Sequence, residues 1–236
     1  MSLHLDWCSY GAAKYAVEHW HYSETLPRCP MAKIGVWEDG LFVGAVLFGM
    51  GSGGATDGRR YDGLAQRFAV GELVRVALRA HQAPVSQIVA VAVRKLRQQS
   101  PGLRLLLSYA DPAHNHHGGI YQAMGWYYVG LSAKDYMIVD QSGHRWHSRV
   151  VSSKGWKNHF GSASRAIRPS EGTRIDIPGK YTYLLPLDAE TRARIEPLAR
   201  QYPKRAGSIA ADAPADQVGE GGSSPTSALQ TTAVRA

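Results

Sequence analysis

The stretch LRLLLSYADPAHNHHGGIYQAMGWYYVG, residues 103–130, changes its chemical character twice within one short run. Its first five residues, Leu103 to Leu107, are uniformly apolar apart from one arginine, which is typical of a buried strand. Polar residues follow up to Asp111-Pro112, then a histidine-rich loop, a predicted short helix over 120–124 and a predicted strand from Trp126. Because open α/β sheets bind ligands beyond the carboxyl ends of their strands, these polar residues are the first place to expect a functional site.

The residues before this stretch predict a βαβ unit. Residues 72–78 alternate and predict a strand, and residues 85–99 predict an amphipathic helix after Pro84. Strict alternation would place Glu72 and Arg75 on opposite faces of that strand, which disfavours a pair between them. The turn over residues 79–85 would direct backbone amides toward an anion at the helix N-terminus.

The N-terminal third predicts a helix and a hairpin. Ser9 is a candidate N-cap for a helix over residues 9–20. Asp39-Gly40 separates two alternating runs, which is a strong signal for a β-hairpin, and the Gly-rich residues 49–66 predict a long mobile loop. With the later strands, the chain is predicted to be α/β with a mixed sheet.

Charge is distributed unevenly along the 236 residues, whose formal net charge is +8. Residues 1–140 carry a net +2, residues 141–205 a net +8 and residues 206–236 a net −2. The middle block also contains interleaved Trp and Tyr residues, so it predicts a surface for a polyanion. We therefore expect a catalytic core over 1–140, a basic aromatic-rich extension packed on it over 141–205, and a disordered tail over 206–236.

Composition also constrains the cellular setting. Two cysteines, Cys8 and Cys29, are too few for a disulfide framework and fit no common zinc spacing. No run of apolar residues is long enough to span a membrane, and the first ten residues lack a secretory signal pattern. These features predict a cytoplasmic protein.

Several blocks of the sequence, taken in order, resemble one family. The segment GIYQAMGW at 119–126 is similar to the helix-to-strand corner of the GNAT acyltransferase fold. Together with HYS at 21–23 and the further blocks, it resembles the phage Mom family of DNA-modification proteins over about residues 17–187. The further blocks are KIGVWEDGLFVGAVLFG, ELVRVAL, APVSQIVAVAV, SPGLRLLLSYADP, HHGGIYQA and IPGKYTYLLPL.

The resemblance implies a fold and a reaction. It implies a GNAT-like mixed, mostly antiparallel sheet flanked by helices, and an enzyme that converts adenine in double-stranded DNA to N6-carbamoylmethyl adenine, which protects phage DNA from restriction. An acetyl-CoA or related acyl-CoA cofactor is implied as well. The chain departs from the usual glycine-rich pyrophosphate loop of GNAT enzymes, because its equivalent residues 79–85 are RAHQAPV.

Four residues are candidates for catalysis. Asp111 is expected to orient or deprotonate the adenine amine, or to close a turn before Pro112. Tyr121 is expected to act as an acid or a cofactor anchor, or to be a packed aromatic residue. His21 is a candidate general base or a surface histidine, and Tyr109 is the fourth candidate.

Cofactor and metal ligands are also predicted. Arg75, Ser86, Gln87 and Tyr121 are candidates for binding an acyl-CoA, although Ser86 could simply be a helix N-cap. His116, His117 and Asp111 are weak candidates for an iron or zinc site. Acyl transfer alone would give an N-acetyl adenine, so the carbamoylmethyl product requires a further activated step that the sequence does not identify.

The basic block is the predicted DNA-binding surface. Chemistry on a base in a duplex requires that base to be extruded, and the block supplies Arg and Lys for phosphates and Trp or Tyr for stacking. Its candidate phosphate contacts are Arg145, Arg149, Lys154 and Lys157. Two other functions remain open: an ordinary GNAT N-acetyltransferase acting on a small amine or protein, and a non-enzymatic DNA-binding protein with a degenerate acyltransferase core. An HNH-type nuclease fits poorly, because His114, Asn115 and His116 are contiguous.

Overall fold

The computed structural model describes residues 2–27, 30–50, 69–159 and 162–204. The strands are β1 Leu3–Trp7, β2 Pro30–Glu38, β3 Leu41–Gly49, β4 Val70–Leu78, β5 Leu105–Ala110, β6 Tyr127–Leu131, β7 Asp135–Asp140, β8 Arg145–His147, β9 Trp156–His159, β10 Ser162–Arg165, β11 Gly172–Ile177 and β12 Tyr181–Pro186. The helices are α1 Tyr10–Trp20, α2 Val85–Gln99, α3 Gly119–Ala123 and α4 Ala189–Ile195. None of the helices within these ranges is long and apolar enough to cross a bilayer.

A seven-stranded mixed sheet organises the protein, in the order β1-β2-β3-β4-β5-β12-β6. Neighbouring strands are antiparallel except β4 and β5. The parallel pairing of β4 with β5 covers only Val70–Glu72 against Leu105–Leu107, after which no pairing joins the described strands. The predicted fold class, a GNAT-like mostly antiparallel sheet flanked by helices, is confirmed.

Helices cover both faces of this sheet. On one face, α2 buries Ile88, Val89 and Ala92 in the largest core cluster, which also contains Tyr121 and Trp126. On the other face, α1 packs on β3 and β4, and α4 packs near β5 and β12 through separate apolar clusters. The apolar periodicity that predicted the helix over 85–99 therefore corresponds to a buried stripe, as expected for an amphipathic helix on a sheet.

Local signals in the N-terminal third are confirmed. Ser9 caps α1, since its side chain accepts a hydrogen bond from the Ala12 amide at 3.1 Å. The hairpin turns at Asp39-Gly40, where both residues have positive φ angles of 47° and 80°. Ser86 is not an N-cap, because Pro84 occupies that position in α2. The predicted loop over 49–66 lies outside the described residues beyond position 50, as does the tail over 206–236.

A bulge in β4 overturns the predicted alternation. The register between β3 and β4 shifts between the Leu47–Arg75 and Phe48–Leu73 pairs. As a result Leu73 and Val76, three residues apart, both pack in the α2-side core, whereas Val74 and Ala77 pack on the α1 side. Because a bulge inserts one residue and reverses the parity of a strand, Glu72 and Arg75 share a face. The prediction that they lie on opposite faces is therefore wrong.

The C-terminal block is not a separate extension. β12, from residues 181–186, inserts between β5 and β6 in the central sheet, and α4 packs beside it. Conversely, β7 lies before the predicted boundary at residue 140 but pairs with β8 and β11 in a three-stranded sheet. All described residues fall in one compact unit. The boundary at 140/141 is thus corrected, because long-range strand pairing does not follow the charge composition.

A glycine at the start of α3 sets the approach of this helix to β12. Gly118 has φ of +82°, and a Cβ placed there would lie 2.3–2.6 Å from the Tyr183 ring. We expect Gly118→Ala to lower the free energy of unfolding by about 2–4 kcal/mol, because it adds overpacking to backbone strain. Gly125→Ala is the matched control: its φ is +70° but no atom lies within 4 Å of the added Cβ. We expect it to cost about 1 kcal/mol. Equal denaturant midpoints for the two variants would contradict the packing argument.

Candidate active site

The separation of β4 from β5 creates a cleft on the central sheet. Ser108, the first residue of β5 beyond the paired segment, donates a hydrogen bond to the Leu73 carbonyl oxygen at 2.9 Å. Its Oγ also lies 2.7 Å from the Tyr121 hydroxyl oxygen. Ser108 is buried. Its contacts with Leu73 and Tyr121 connect the two diverging strands to α3. We call the region between β4 and β5 beyond Glu72 the strand cleft.

Glu72 lies at the closed end of the strand cleft. Burial raises the pKa of its carboxyl to about 7, although Arg75, Lys180 and Arg149 act in the opposite direction. A carboxyl with a pKa near neutrality can accept a proton from an amine and release it again, which is what a general base requires. The sequence analysis did not select Glu72. Its signal was a single acidic residue in an otherwise apolar strand before a bulge.

Arg75 presents an incompletely paired guanidinium beside Glu72. Its Nη1 donates to the Val74 carbonyl oxygen at 2.7 Å and its Nη2 to the Thr25 carbonyl oxygen at 3.5 Å. Its Nε is buried with no hydrogen-bond partner among the described residues. Burial lowers the pKa of Arg75, with Tyr22 and Glu72 opposing that effect. A half-buried cation held by neutral carbonyls is suited to bind an anionic group of a ligand.

Two loops meet over this end of the cleft. Tyr22, which follows α1, stacks near His114 and His116 of the loop after β5, with ring centroids 4.6 and 5.2 Å away. His21 bonds the Ser23 hydroxyl through Nδ1 at 2.8 Å. Burial, together with Arg75 and His116, lowers the pKa of His21 to about 4. His21 is therefore neutral at pH 7 and is a poorer match than Glu72 for the base that the sequence assigned to it.

Asp111 closes the turn before Pro112 and also pairs with a lysine. Its Oδ1 accepts from the Ala113 amide at 3.0 Å, which closes the turn at Pro112. Its Oδ2 lies 2.9 Å from Lys180 Nζ and 3.4 Å from His114 Nδ1. Burial acts to raise the pKa of Asp111, but Lys180 and the Ala113 amide outweigh it and hold that pKa below its usual value. Asp111 is thus ionised at neutral pH and suited to orient a donor group rather than to remove a proton.

The Lys180–Asp111 pair gives a stability prediction. Lys180→Met leaves the buried Asp111 carboxylate without its closest cation, so we expect unfolding to become easier by about 1 kcal/mol at pH 7. Because the folded-state pKa of Asp111 is depressed, its contribution is present above the unfolded-state pKa and is lost as pH falls through the folded-state pKa. The cost of Lys180→Met should therefore shrink in acid. Urea unfolding at pH 7 and pH 3 measures it, and a cost that grows in acid would contradict the assignment.

The two tyrosine candidates lie on different faces. Tyr121 is buried and in contact with the rings of Trp126 and Tyr183, both at 5.1 Å between centroids. Burial raises the pKa of its hydroxyl to about 12, so the group stays protonated and can donate a hydrogen bond at neutral pH. Tyr109, two residues beyond Leu107 in β5, is half-buried on the opposite face against the α4-side cluster. The structure thus joins Tyr121, but not Tyr109, to the Ser108 linkage.

The loop at residues 79–85 does not offer its amides freely to a diphosphate. The Glu38 carboxylate accepts the amides of Gln82 at 2.9 Å and Ala83 at 2.7 Å. The predicted anion site at this turn is therefore filled by a side chain of the protein. Ser86 and Gln87 lie in the first turn of α2, half-buried and exposed respectively. As placed, the loop does not fit the diphosphate of coenzyme A.

The predicted metal ligands do not form a coordination set. No three His, Cys, Asp or Glu side chains among the described residues are grouped as metal ligands would be. Asp111 is engaged by Lys180, and His116 is in contact with Tyr22. The His117 ring lies over Gly119, while its carbonyl oxygen accepts from Tyr183 and Gln122. The loop therefore does not gather Asp111, His116 and His117 around a single ion.

The four predicted phosphate contacts lie in the peripheral sheets. Arg145 is exposed on β8, Arg149 is exposed in the 3₁₀ turn after it, and Lys154 is exposed before β9 with its Nζ 5.7 Å from the Trp156 ring centroid. Lys157 Nζ donates to the Arg149 carbonyl oxygen at 2.7 Å. Of these four residues, Arg149 acts electrostatically on Glu72, whose pKa it lowers.

Fold and site together define an α/β protein of the GNAT-like class with a polar cleft between two splayed parallel strands. More specifically, the chain belongs to the Mom protein family, whose model matches residues 2–204. No curated protein matches the chain in sequence.

Similar solved structures are acetyltransferases. An IAA acetyltransferase from Bacillus cereus is 13% identical with a TM-score of 0.42, covering 79% of this chain and 100% of its own. A polyamine N-acetyltransferase from Drosophila melanogaster has the same identity and coverage, with a TM-score of 0.41. An aminoglycoside acetyltransferase solved with coenzyme A and kanamycin is 11% identical, with a TM-score of 0.41 over 83% of this chain and 99% of its own.

Proposed function

We propose that this protein is a transferase that modifies the exocyclic amine of adenine in double-stranded DNA and so protects phage DNA from host restriction. The observation that carries the proposal is the half-buried Glu72 carboxyl beside Arg75 at the closed end of the strand cleft, in a chain of the Mom family. The product is N6-carbamoylmethyl adenine, as the family resemblance implies.

In this proposal, Glu72 accepts the proton that the adenine amine loses as its nitrogen forms the new bond. The exocyclic amine of adenine is a weak nucleophile, so a base with a pKa near 7 assists it where a fully ionised carboxylate such as Asp111 would not. Asp111 accepts a hydrogen bond from the amine and orients it. Tyr121 remains protonated, and because the Ser108 proton goes to the Leu73 carbonyl oxygen, the Tyr121 hydroxyl donates to Ser108 and fixes β5 beside the strand cleft.

The donor is proposed to be a thioester of the acyl-CoA class, as the family resemblance implies. Transfer of an acyl group would leave a carbonyl carbon on the adenine nitrogen, whereas the carbamoylmethyl group is joined through its methylene carbon. Attack on the thioester carbonyl would also release the thiol, so the bond between the adenine nitrogen and the methylene carbon requires an activated step other than acyl transfer.

Duplex DNA is the proposed partner because residues 141–205 carry exposed cations, one of which, Arg149, acts electrostatically on Glu72 in the strand cleft. Arg145, Arg149 and Lys154 are exposed cations, and half of the Trp156 side chain is exposed next to Lys154. Arginine and lysine bind phosphates, and an exposed ring provides a surface on which a base can stack. An adenine extruded from the duplex would enter the strand cleft from this side.

Restriction digestion tests the proposal. Plasmid DNA from bacteria that express this chain is digested with enzymes whose recognition sites contain adenine, and with enzymes whose sites contain only guanine and cytosine. We expect resistance to the first group and normal cleavage by the second. Equal cleavage by both groups, with folded protein in the cells, would contradict a DNA adenine modification. An ordinary acetyltransferase of small amines would give that result.

A further inference from the structure

Glu38 occupies a position that a diphosphate would need. The residue ends β2, and its side chain reaches across to the loop between β4 and α2, where its two oxygens accept from consecutive amides of Gln82 and Ala83. Only 7% of Glu38 is exposed. The hydrogen bonds from those amides are the first causes of a lowered pKa for Glu38, so the group is a carboxylate at neutral pH. An internal carboxylate thus satisfies the anion-binding amides of this loop.

The surface beside this loop also disfavours binding of a diphosphate. A shallow hollow there is lined by Glu38, Asp39, Arg79 and His81, among others. The Arg79 guanidinium carbon lies 5.8 Å from the centre of the Trp20 ring. A diphosphate would have to displace the Glu38 carboxylate from the two amides and then lie beside Asp39, which like-charge repulsion disfavours.

We infer that Glu38 is a specificity-determining residue that makes the enzyme indifferent to the nucleotide part of its thioester donor. The donor is recognised through its acyl and thiol-bearing arm in the strand cleft, and the 3′-phospho-ADP part of coenzyme A contributes no binding energy at the 79–85 loop. This inference rests on the thioester donor of the proposed function. It predicts that a thioester without the 3′-phospho-ADP part binds as tightly as the complete acyl-CoA.

Calorimetric titration of the full chain with acetyl-CoA and with S-acetylpantetheine tests this inference. We expect dissociation constants within about threefold of each other for the unaltered protein, because diphosphate contacts are absent. Glu38→Ala vacates the two amides, and we expect it to favour acetyl-CoA over S-acetylpantetheine by about tenfold or more. Asp39→Asn, which removes a charge from the same hollow but leaves Glu38 on the amides, should shift the ratio much less.

The outcomes separate the inference from the function on which it rests. Acetyl-CoA binding the unaltered protein about 100-fold more tightly than S-acetylpantetheine would overturn the role of Glu38 and leave the thioester donor standing. Absence of binding by both compounds would overturn the inference and the thioester donor together. The comparison in the unaltered protein does not depend on whether Glu38→Ala folds.

Discussion

Replacing Glu72 by glutamine is expected to lower the rate of adenine modification by about 10²–10⁴-fold, the usual contribution of a positioned general base. Glutamine keeps the shape and the hydrogen-bonding oxygen of glutamate but cannot take up a proton. The initial rate is measured from modified deoxyadenosine per unit of folded protein. Glu196→Gln changes an exposed glutamate outside the cleft and is the matched control. It should leave the rate of adenine modification unchanged.

The pH dependence of the reaction should identify Glu72 as the base. With a pKa of about 7, the carboxyl is protonated in acid and becomes a base only as pH rises past neutrality. The rate of the unaltered protein should therefore rise about tenfold per pH unit below 7 and level off above it. The residual rate of Glu72→Gln should lack this step. A step that persists unchanged in the variant would assign the titration to another group.

The same substitution should stabilise the protein in base. Because the folded-state pKa of Glu72 lies above the unfolded-state value of 4.5, its favourable contribution is present below pH 4.5 and is lost as pH rises through about 7. Glu72→Gln removes that loss, so we expect about 3 kcal/mol more stability than the parent at pH 8 and little difference at pH 4. An inactive variant that is also less stable at pH 8 would indicate damage to the fold instead.

Removing the four exposed or half-exposed cations of the basic segment should have the largest effect on DNA binding. We expect the combined variant Arg145→Ala, Arg149→Ala, Lys154→Ala and Lys157→Ala to reduce the slope of log affinity against log salt by about 3.5, if each residue neutralises one phosphate. Fluorescence anisotropy of a labelled duplex between low and moderate salt measures the slope. Circular dichroism checks folding, because Lys157 also bonds the Arg149 carbonyl oxygen.

A charge-matched control separates local contact from net charge. Replacement of Lys14, Arg94, Arg97 and Arg192 by alanine removes the same charge from exposed positions on α1, α2 and α4. We expect this control to keep the parental salt slope within about one unit. Equal losses in both variants would show that overall charge, and no particular surface, attracts DNA.

Local chemistry in the sequence predicted the local elements well. The Ser9 cap, the Asp39-Gly40 turn and the apolar stripe of α2 each depend on residues close in the chain, and each is confirmed. The predictions that failed concern contacts between residues far apart in the chain. The place of β12 between β5 and β6 is set by pairing with residues about 50 to 80 positions earlier, so charge composition drew the boundary at 140/141 in the wrong place.

The site shows the same limit. Asp111 and Tyr121 were found because they flank an obvious strand and turn, and the structure places them around the Ser108 linkage and the Lys180 pair. Glu72 was missed because the bulge that turns it toward Arg75 leaves no trace in the alternation of residues 72–78. Glu38 was missed because its function at the 79–85 loop arises only when β2 and β4 are brought into one sheet. Burial and neighbours, which sequence spacing does not encode, decide the pKa values of such groups.

The most direct measurement of the central claim is mass spectrometry of nucleosides digested from plasmid DNA after expression of the unaltered chain and of Glu72→Gln in parallel. We expect a deoxyadenosine heavier by one carbamoylmethyl group with the unaltered chain, and a strongly reduced amount with Glu72→Gln at equal levels of folded protein. Only unmodified deoxyadenosine in both samples would contradict the proposed function, and equal modification in both would contradict the role assigned to Glu72.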